Sequence, residues 1–270
     1  MSIIAGIEEK IIKYLEEYNE VEGSDVLESR LAIRALMNIT KPIDLDDEFY
    51  ALQDTYLKRL LSFSQVINGT DLLEIEPKIA LIEGDITLMK VDAIVNPTND
   101  SLEGSYEPLD DDVCSAILSF AGLQVRRDCI ELIYNQGESE KSGMCKVTKG
   151  YNLPCDFIFH TVPPVVLDEV TTDNKKDLAN CYLNCLKRAE HCKSKTIAFP
   201  IILDKEGNYP YKEAVKLGVK TIRDYFMNKE DSIIEKVIFV LENSYELEVC
   251  EKIINNEENF KLVKKLNIKK

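Results

Sequence analysis

From Lys78 onward, short apolar runs alternate with longer segments of helical periodicity. Lys78–Ile82 and Val91–Val95 are short apolar runs that predict strands buried on both faces, and Asp156–Val162, Lys195–Ile202 and Lys236–Leu241 predict further strands. Between and after them, Asp111–Gln136 (with a break at Gly122), Leu178–Cys192, Tyr211–Phe226 and Glu246–Asn255 predict helices. Strands that alternate with helices fold into a parallel or mixed sheet covered on both sides, an α/β class of three layers. In such a sheet, ligands bind at the carboxyl ends of the strands. That rule singles out three stretches: Gly84–Thr87, Asn96–Asp112 and Leu203–Tyr211.

The first 72 residues have a different texture. Ile3–Tyr18 places Ile4, Ile7, Ile11 and Leu15 at helical spacing. A second helix fits Asp25–Asn38, with Pro42 closing it, and a third fits Asp46–Phe63. The expected organisation is a helical extension over 1–72 packed on a core over 73–270. Met1–Tyr14 interleaves Glu8, Glu9 and Lys10 with apolar residues, which is unlike a signal peptide. No apolar run is long enough to span a membrane. The formal net charge of −15 repels phosphate backbones and argues against nucleic-acid partners. Eight cysteines without a signal peptide fit a reducing cytoplasm. Cys181, Cys185, His191 and Cys192 cluster as a zinc site could, but Cys181 and Cys185 lie one helical turn apart and are expected to face the core.

Gly84-Asp85-Ile86-Thr87, then Val91–Asn96 and Asn99, resemble the opening of the macrodomain, an ADP-ribose-recognition fold. His160-Thr161-Val162 resembles a macrodomain strand that usually reads His-Thr-Val-Gly-Pro. Arg34–Asn38, Asp47-Glu48-Phe49 and Leu52-Gln53-Asp54 are similar to the helical extension of the zinc-containing macrodomains. These are bacterial protein-ADP-ribose hydrolases, often encoded beside a sirtuin-type ADP-ribosyltransferase. Lys149–Pro154 and Leu178–Tyr182 fit the same subfamily. Each motif is weak alone; their order and spacing over nearly the whole chain carry the resemblance.

The resemblance implies a three-layer macrodomain sandwich, a mixed sheet between helices, with an N-terminal helical extension. It implies ADP-ribose or an ADP-ribosylated protein as partner. Asp85 would accept from the adenine amino group and the Ile86 amide would add a second adenine contact. Asn96 and Asn99 would lie near the distal ribose, with Asn99 the residue that matters for any hydrolysis, since an amide both donates to and accepts from hydroxyls. Gly104 and Ser105, and Lys205, Gly207 and Tyr209 in a second loop, complete the implied contacts. The residues alone leave other roles open: a turn for Asp85, a strand-end cap for Asn96, a solvated loop position for Lys205.

The chain departs from the subfamily where chemistry is concentrated. The zinc loop, Gly-Cys-Phe-x-Pro-x-His-x-Cys in the family, reads Gly104-Ser105-Tyr106-Glu107-Pro108-Leu109-Asp110-Asp111-Asp112 here. Ser105, Asp110 and Asp112 replace the three ligands, a poor set for zinc, so no zinc cofactor is expected. The acids suit a helix cap instead. Glu103 adds a charge where the family has an apolar residue. The second phosphate loop keeps its length as Ile201–Pro210 but loses its Ser-Thr-Gly amide cradle, and Pro163 removes a backbone donor. Cys114, standing where the subfamily has Asp and following three acids, is expected to ionise with difficulty. The expectation is therefore a diverged macrodomain that binds ADP-ribose or a related nucleotide with hydrolysis weak or lost. An active mono-ADP-ribosyl hydrolase and a scaffold without nucleotide binding are the alternatives.

Overall fold

A computed structural model of the chain describes residues 3–203 and 208–255. The chain opens with helices α1 (Ile3–Asn19), α2 (Ser29–Ile39) and α3 (Asp47–Phe63). The predicted start of α2 at Asp25 moves to Ser29, because Gly23 is left-handed (φ 88°) and Leu27 is extended, which isolates Ser24–Val26 as a single 3-10 turn. The Asp46 carboxylate accepts the Phe49 N–H at 2.7 Å and so caps α3. Ile11, Leu15, Ile33, Leu36, Phe49 and Leu57 bury into one cluster that also contains Leu123.

Next follow β1 (Ile67–Asn68), β2 (Glu74–Glu76), β3 (Ile79–Glu83) and β4 (Met89–Pro97), then α4 (Val113–Ala121) and α5 (Leu123–Gln136). The remainder is β5 (Cys145–Lys149), β6 (Cys155–Thr161), α6 (Thr172–Cys192), β7 (Thr196–Phe199), α7 (Tyr211–Asn228), β8 (Lys236–Leu241) and α8 (Ser244–Ile254). The sheet runs β2-β3-β8-β7-β4-β6-β5, with β1 added to β4. β3, β8, β7, β4 and β6 are parallel, and the antiparallel β2 and β5 form the margins. This is the mixed sheet between helices that the sequence implies.

Strand alternation sorts the apolar residues onto two faces. Ala93, Val95, Phe159, Phe199 and Phe239 pack with residues of α6 and α7. Ile94, Ile158, Ala198 and Ile238 pack with residues of α4 and α5. Both faces are covered, which is why these strands read as unbroken apolar runs. The predicted strand over Lys195–Ile202 ends at Phe199, since Pro200 has no N–H to give a ladder. α6 begins at Thr172, earlier than predicted, because Thr171 and Asn174 form a reciprocal capping box ahead of its first apolar residues.

A buried polar seam joins α3 to the α4–α5 junction. Gln53 Oε1 accepts the Leu123 N–H at 2.9 Å and Gln53 Nε2 donates to Gln124 Oε1 at 2.6 Å. Asp54 Oδ1 accepts from Gln124 Nε2 and Asn152 Nδ2, each at 2.8 Å. Gly122 lets the chain turn there: its φ is 101°, and a Cβ would stand 2.6 Å from Gln53 Nε2. Cys181 and Cys185 are fully buried in the core, as their one-turn spacing predicts. No helix among the described residues is long and apolar enough to cross a membrane.

Candidate functional site

The carboxyl ends of β4, β6, β7 and β8 open onto a cleft of about 1090 Å³. Pro97, Thr98 and Asn99 leave β4 into it, Val162 and Pro163 leave β6, Pro200 and Ile201 leave β7, and Glu242 follows β8. The position matches the strand-end rule for open α/β sheets.

One wall is the loop between β4 and α4. The Asn99 side chain clips it: Nδ2 donates to Gly104 O at 2.9 Å and Oδ1 accepts the Gly104 N–H at 3.1 Å. Gly104 has φ 72°, and a Cβ would lie 2.7 Å from Leu118 Cδ1 and 3.1 Å from Cys114 Sγ, so only glycine fits. The loop ends in the cap that the three acids suggest. Asp112 Oδ1 accepts the Ser115 N–H at 2.6 Å, and Asp110 Oδ1 accepts the Asp112 N–H at 3.2 Å. Ser105 Oγ accepts the Glu107 N–H at 3.1 Å.

The cleft is acidic. Asp100, Asp111, Asp112, Glu140, Glu242 and Glu246 all contribute to its lining, and none of the described lining residues is Lys or Arg. Burial, then the nearby charges of Glu246, Asp111 and Asp112, raise the Glu242 carboxyl above its usual range. Glu140 pairs with Lys146 Nζ at 3.1 Å. The Cys114 thiol donates to Thr98 Oγ1 at 3.3 Å, and burial pushes its pKa up to about 11. The neighbouring acid expected to oppose its ionisation does contribute, through Asp112, but burial is the larger cause.

The residues singled out from the sequence divide into three groups. Asn99, Gly104 and Ser105 meet on the cleft wall. Asp85, Ile86, Asn96 and Tyr209 do not line it. Asp85 Oδ1 accepts from the Thr87 N–H at 2.8 Å and the Thr87 hydroxyl at 2.7 Å, capping the turn Ile86–Leu88, and Ile86 is buried in the core. That turn lies beside β8, since Gly84 N donates to Leu241 O. Asn96 is 0 % exposed and its Nδ2 donates to His160 Nδ1 at 3.1 Å. On its other side, His160 Nε2 lies 2.9 Å from Thr148 Oγ1. Tyr209 packs into the core. Lys205 and Gly207 lie outside the described residues.

Sequence reasoning did not single out Glu140, Glu242 and Glu246. Glu242 stands directly after β8, so the strand-end rule applied to that strand was the available signal. Glu140 precedes β5, an edge strand with no apolar run to announce it.

The segment 95–218, which carries the β4, β6 and β7 ends of the cleft, matches the Macro domain family model. A protein-ADP-ribose hydrolase of Staphylococcus aureus strain MSSA476 is 35 % identical over 229 residues, covering 83 % of this chain and 84 % of that protein. The chain belongs to the macrodomain family. A second protein-ADP-ribose hydrolase, from Treponema medium, is 32 % identical over 238 residues, covering 85 % of the macrodomain protein described above and 90 % of its own length. The Oceanobacillus iheyensis macrodomain solved with ADP superposes with a TM-score of 0.62 at 29 % identity, covering 70 % of this chain and 96 % of that one. The first two matches extend well beyond the family segment and so take in part of the helical extension.

Proposed function

We propose that this macrodomain binds ADP-ribose, free or attached to a protein, and that metal-assisted hydrolysis is weak or lost. The observation that carries the reading is the cleft itself, with the Asn99–Gly104 clip on its wall. The relatives named protein-ADP-ribose hydrolase and the ADP-containing O. iheyensis structure supply the ligand class. Asp85, at the end of β3 beside β8, is the proposed adenine contact, and Asn99 the proposed ribose contact. Each would have to exchange or share its present bonds to Thr87 and Gly104.

The residues at the family's zinc positions do not fit that metal. Ser105, Asp110 and Asp112 offer neither thiolate nor imidazole. Each also already accepts a backbone N–H within its own loop or cap. Neither of the two histidines in the chain stands in this loop, and His160 is buried and bonded on both ring nitrogens. No step of a reaction is therefore assigned to a metal.

A second reading, an interaction protein that keeps the fold without the nucleotide, is favoured by the crowded carboxylates around Glu242, which oppose a diphosphate. Titration calorimetry with ADP-ribose separates the two. Heat that saturates, and is lost in Asn99→Ala, supports nucleotide binding; none at about millimolar ligand removes it. Incubation with a mono-ADP-ribosylated carrier protein tests hydrolysis: release of ADP-ribose that depends on Asn99 would restore the enzyme reading.

A further inference from the structure

The cleft loop is bound to the helical extension through one buried cation. Arg126, on α5, is 1 % exposed. Its Nη1 donates to three carbonyls at the end of α2: Met37 O at 3.1 Å, Asn38 O at 2.6 Å and Thr40 O at 3.1 Å. These acceptors form the negative end of a helix, where a cation is favoured. Its Nη2 donates across to Ser105 O at 3.2 Å, on the cleft wall. The guanidinium also lies over the Tyr106 ring, 4.8 Å from the centroid. Tyr106 OH in turn donates to Glu103, which pairs with Lys41 beyond the end of α2 at 3.8 Å.

We propose that Arg126 is a positioning residue for the cleft: it fixes the Ser105–Tyr106 segment against α2, so that the extension sets the geometry of the ligand-binding loop. Two further side chains of α2 act in the same direction. Arg34 Nη2 donates to Asp110 O at 3.2 Å, and Asn38 Nδ2 donates to Pro108 O at 3.2 Å. The chemistry favours a positioning role over filling. Its hydrogen bonds go to neutral carbonyls, so burying the charge is costly, and an apolar side chain of similar length would fill the same space without that cost. What an apolar side chain cannot do is bond two separate backbones at once, which the planar fork does.

Amide hydrogen exchange on the full chain, without ligand, tests this directly in Arg126→Lys and Arg126→Met. The expected result is exchange roughly tenfold or more faster across 99–112 with β4, β6 and β7 unchanged. An unchanged loop, or equal acceleration in loop and strands, overturns the proposal. If both variants fail to fold, Tyr106→Ala, on a partly exposed side chain, gives the same loop-against-strand comparison. A second arm rests on the ADP-ribose reading: Arg126→Lys weakens ADP-ribose roughly tenfold while leaving AMP, which lacks the distal ribose, unchanged. Equal weakening of both marks a general structural defect and overturns the role in positioning. Wild type that binds neither ligand defeats the ADP-ribose reading alone, and the exchange result still decides the role of Arg126.

Discussion

Asp112 Oδ1 accepts the Ser115 backbone N–H at 2.6 Å, which makes this cleft acid the N-cap of α4. Cap and charge can be separated by substitution. Asp112→Asn keeps a good cap and removes one negative charge from the cleft, whereas Asp112→Ala removes both. Asp112→Ala is expected to lower stability by about 1 kcal/mol and Asp112→Asn by much less. If ADP-ribose binds, Asp112→Asn binds it more tightly than wild type, because the diphosphate meets a weaker opposing field. Denaturant titrations and calorimetry of the two variants check both halves.

Glu242 reports the same crowding. A carboxyl raised in the folded state holds its proton more tightly there than in the unfolded chain. The stability it contributes is full below its unfolded pKa and is lost as pH rises through the folded value. Glu242→Gln is therefore expected to raise the Tm at pH 7, modestly because the side chain is only partly buried and solvent screens its charge. The gain should vanish at pH 4. The raised Glu242 carboxyl also predicts that wild-type affinity for an anionic ligand increases as pH falls through its folded pKa. If wild type and Glu242→Gln show the same pH dependence of affinity, Glu242 does not face the ligand.

How far the sequence could be read depends on burial. β4, β6, β7 and β8 are covered on both faces, so their apolar runs were legible. β2 and β5 were not, because Glu74, Glu76, Lys146 and Lys149 give edge strands no such run. Asn96 and Asn99 show the same limit at the site. Both follow the same apolar stretch, but Asn96 is still within β4, in register with His160 and inside the sheet. Asn99 has left the strand and reached the cleft. Three residues of strand length separate a core amide from a site amide, and strand ends are the part that local pattern fixes least.

His160 predicts how the fold responds to acid. Burial lowers its pKa to about 3, against an ordinary value of 6.5. The unfolded chain takes up a proton below about pH 6.5 that the folded ring refuses, so this residue's contribution is present above that pH and is lost as pH falls toward 3. Each pH unit inside that window costs up to about 1.4 kcal/mol. Denaturant midpoints at pH 7, 6, 5 and 4 should fall with a slope that His160→Gln reduces. An unchanged slope in the variant would assign the acid response to the carboxylates.

Cys114 is the thiol that lines the cleft, and it stands close to the Asn99–Gly104 clip, which makes it the natural suspect for nucleophilic chemistry. The structure argues against that role. The thiolate is the reactive species, and with a pKa near 11 only about one part in a thousand is ionised at pH 8. The proton it holds is donated to Thr98 Oγ1. Iodoacetamide at pH 8 should therefore label the native protein at the partly exposed Cys192 well before Cys114, and peptide mapping by mass spectrometry reads the order. Cys114→Ser, which can keep the bond to Thr98, should leave ADP-ribose affinity unchanged. Rapid labelling of Cys114, or loss of hydrolytic turnover in the serine variant, would reverse the assignment and return the thiol to the chemistry of the cleft.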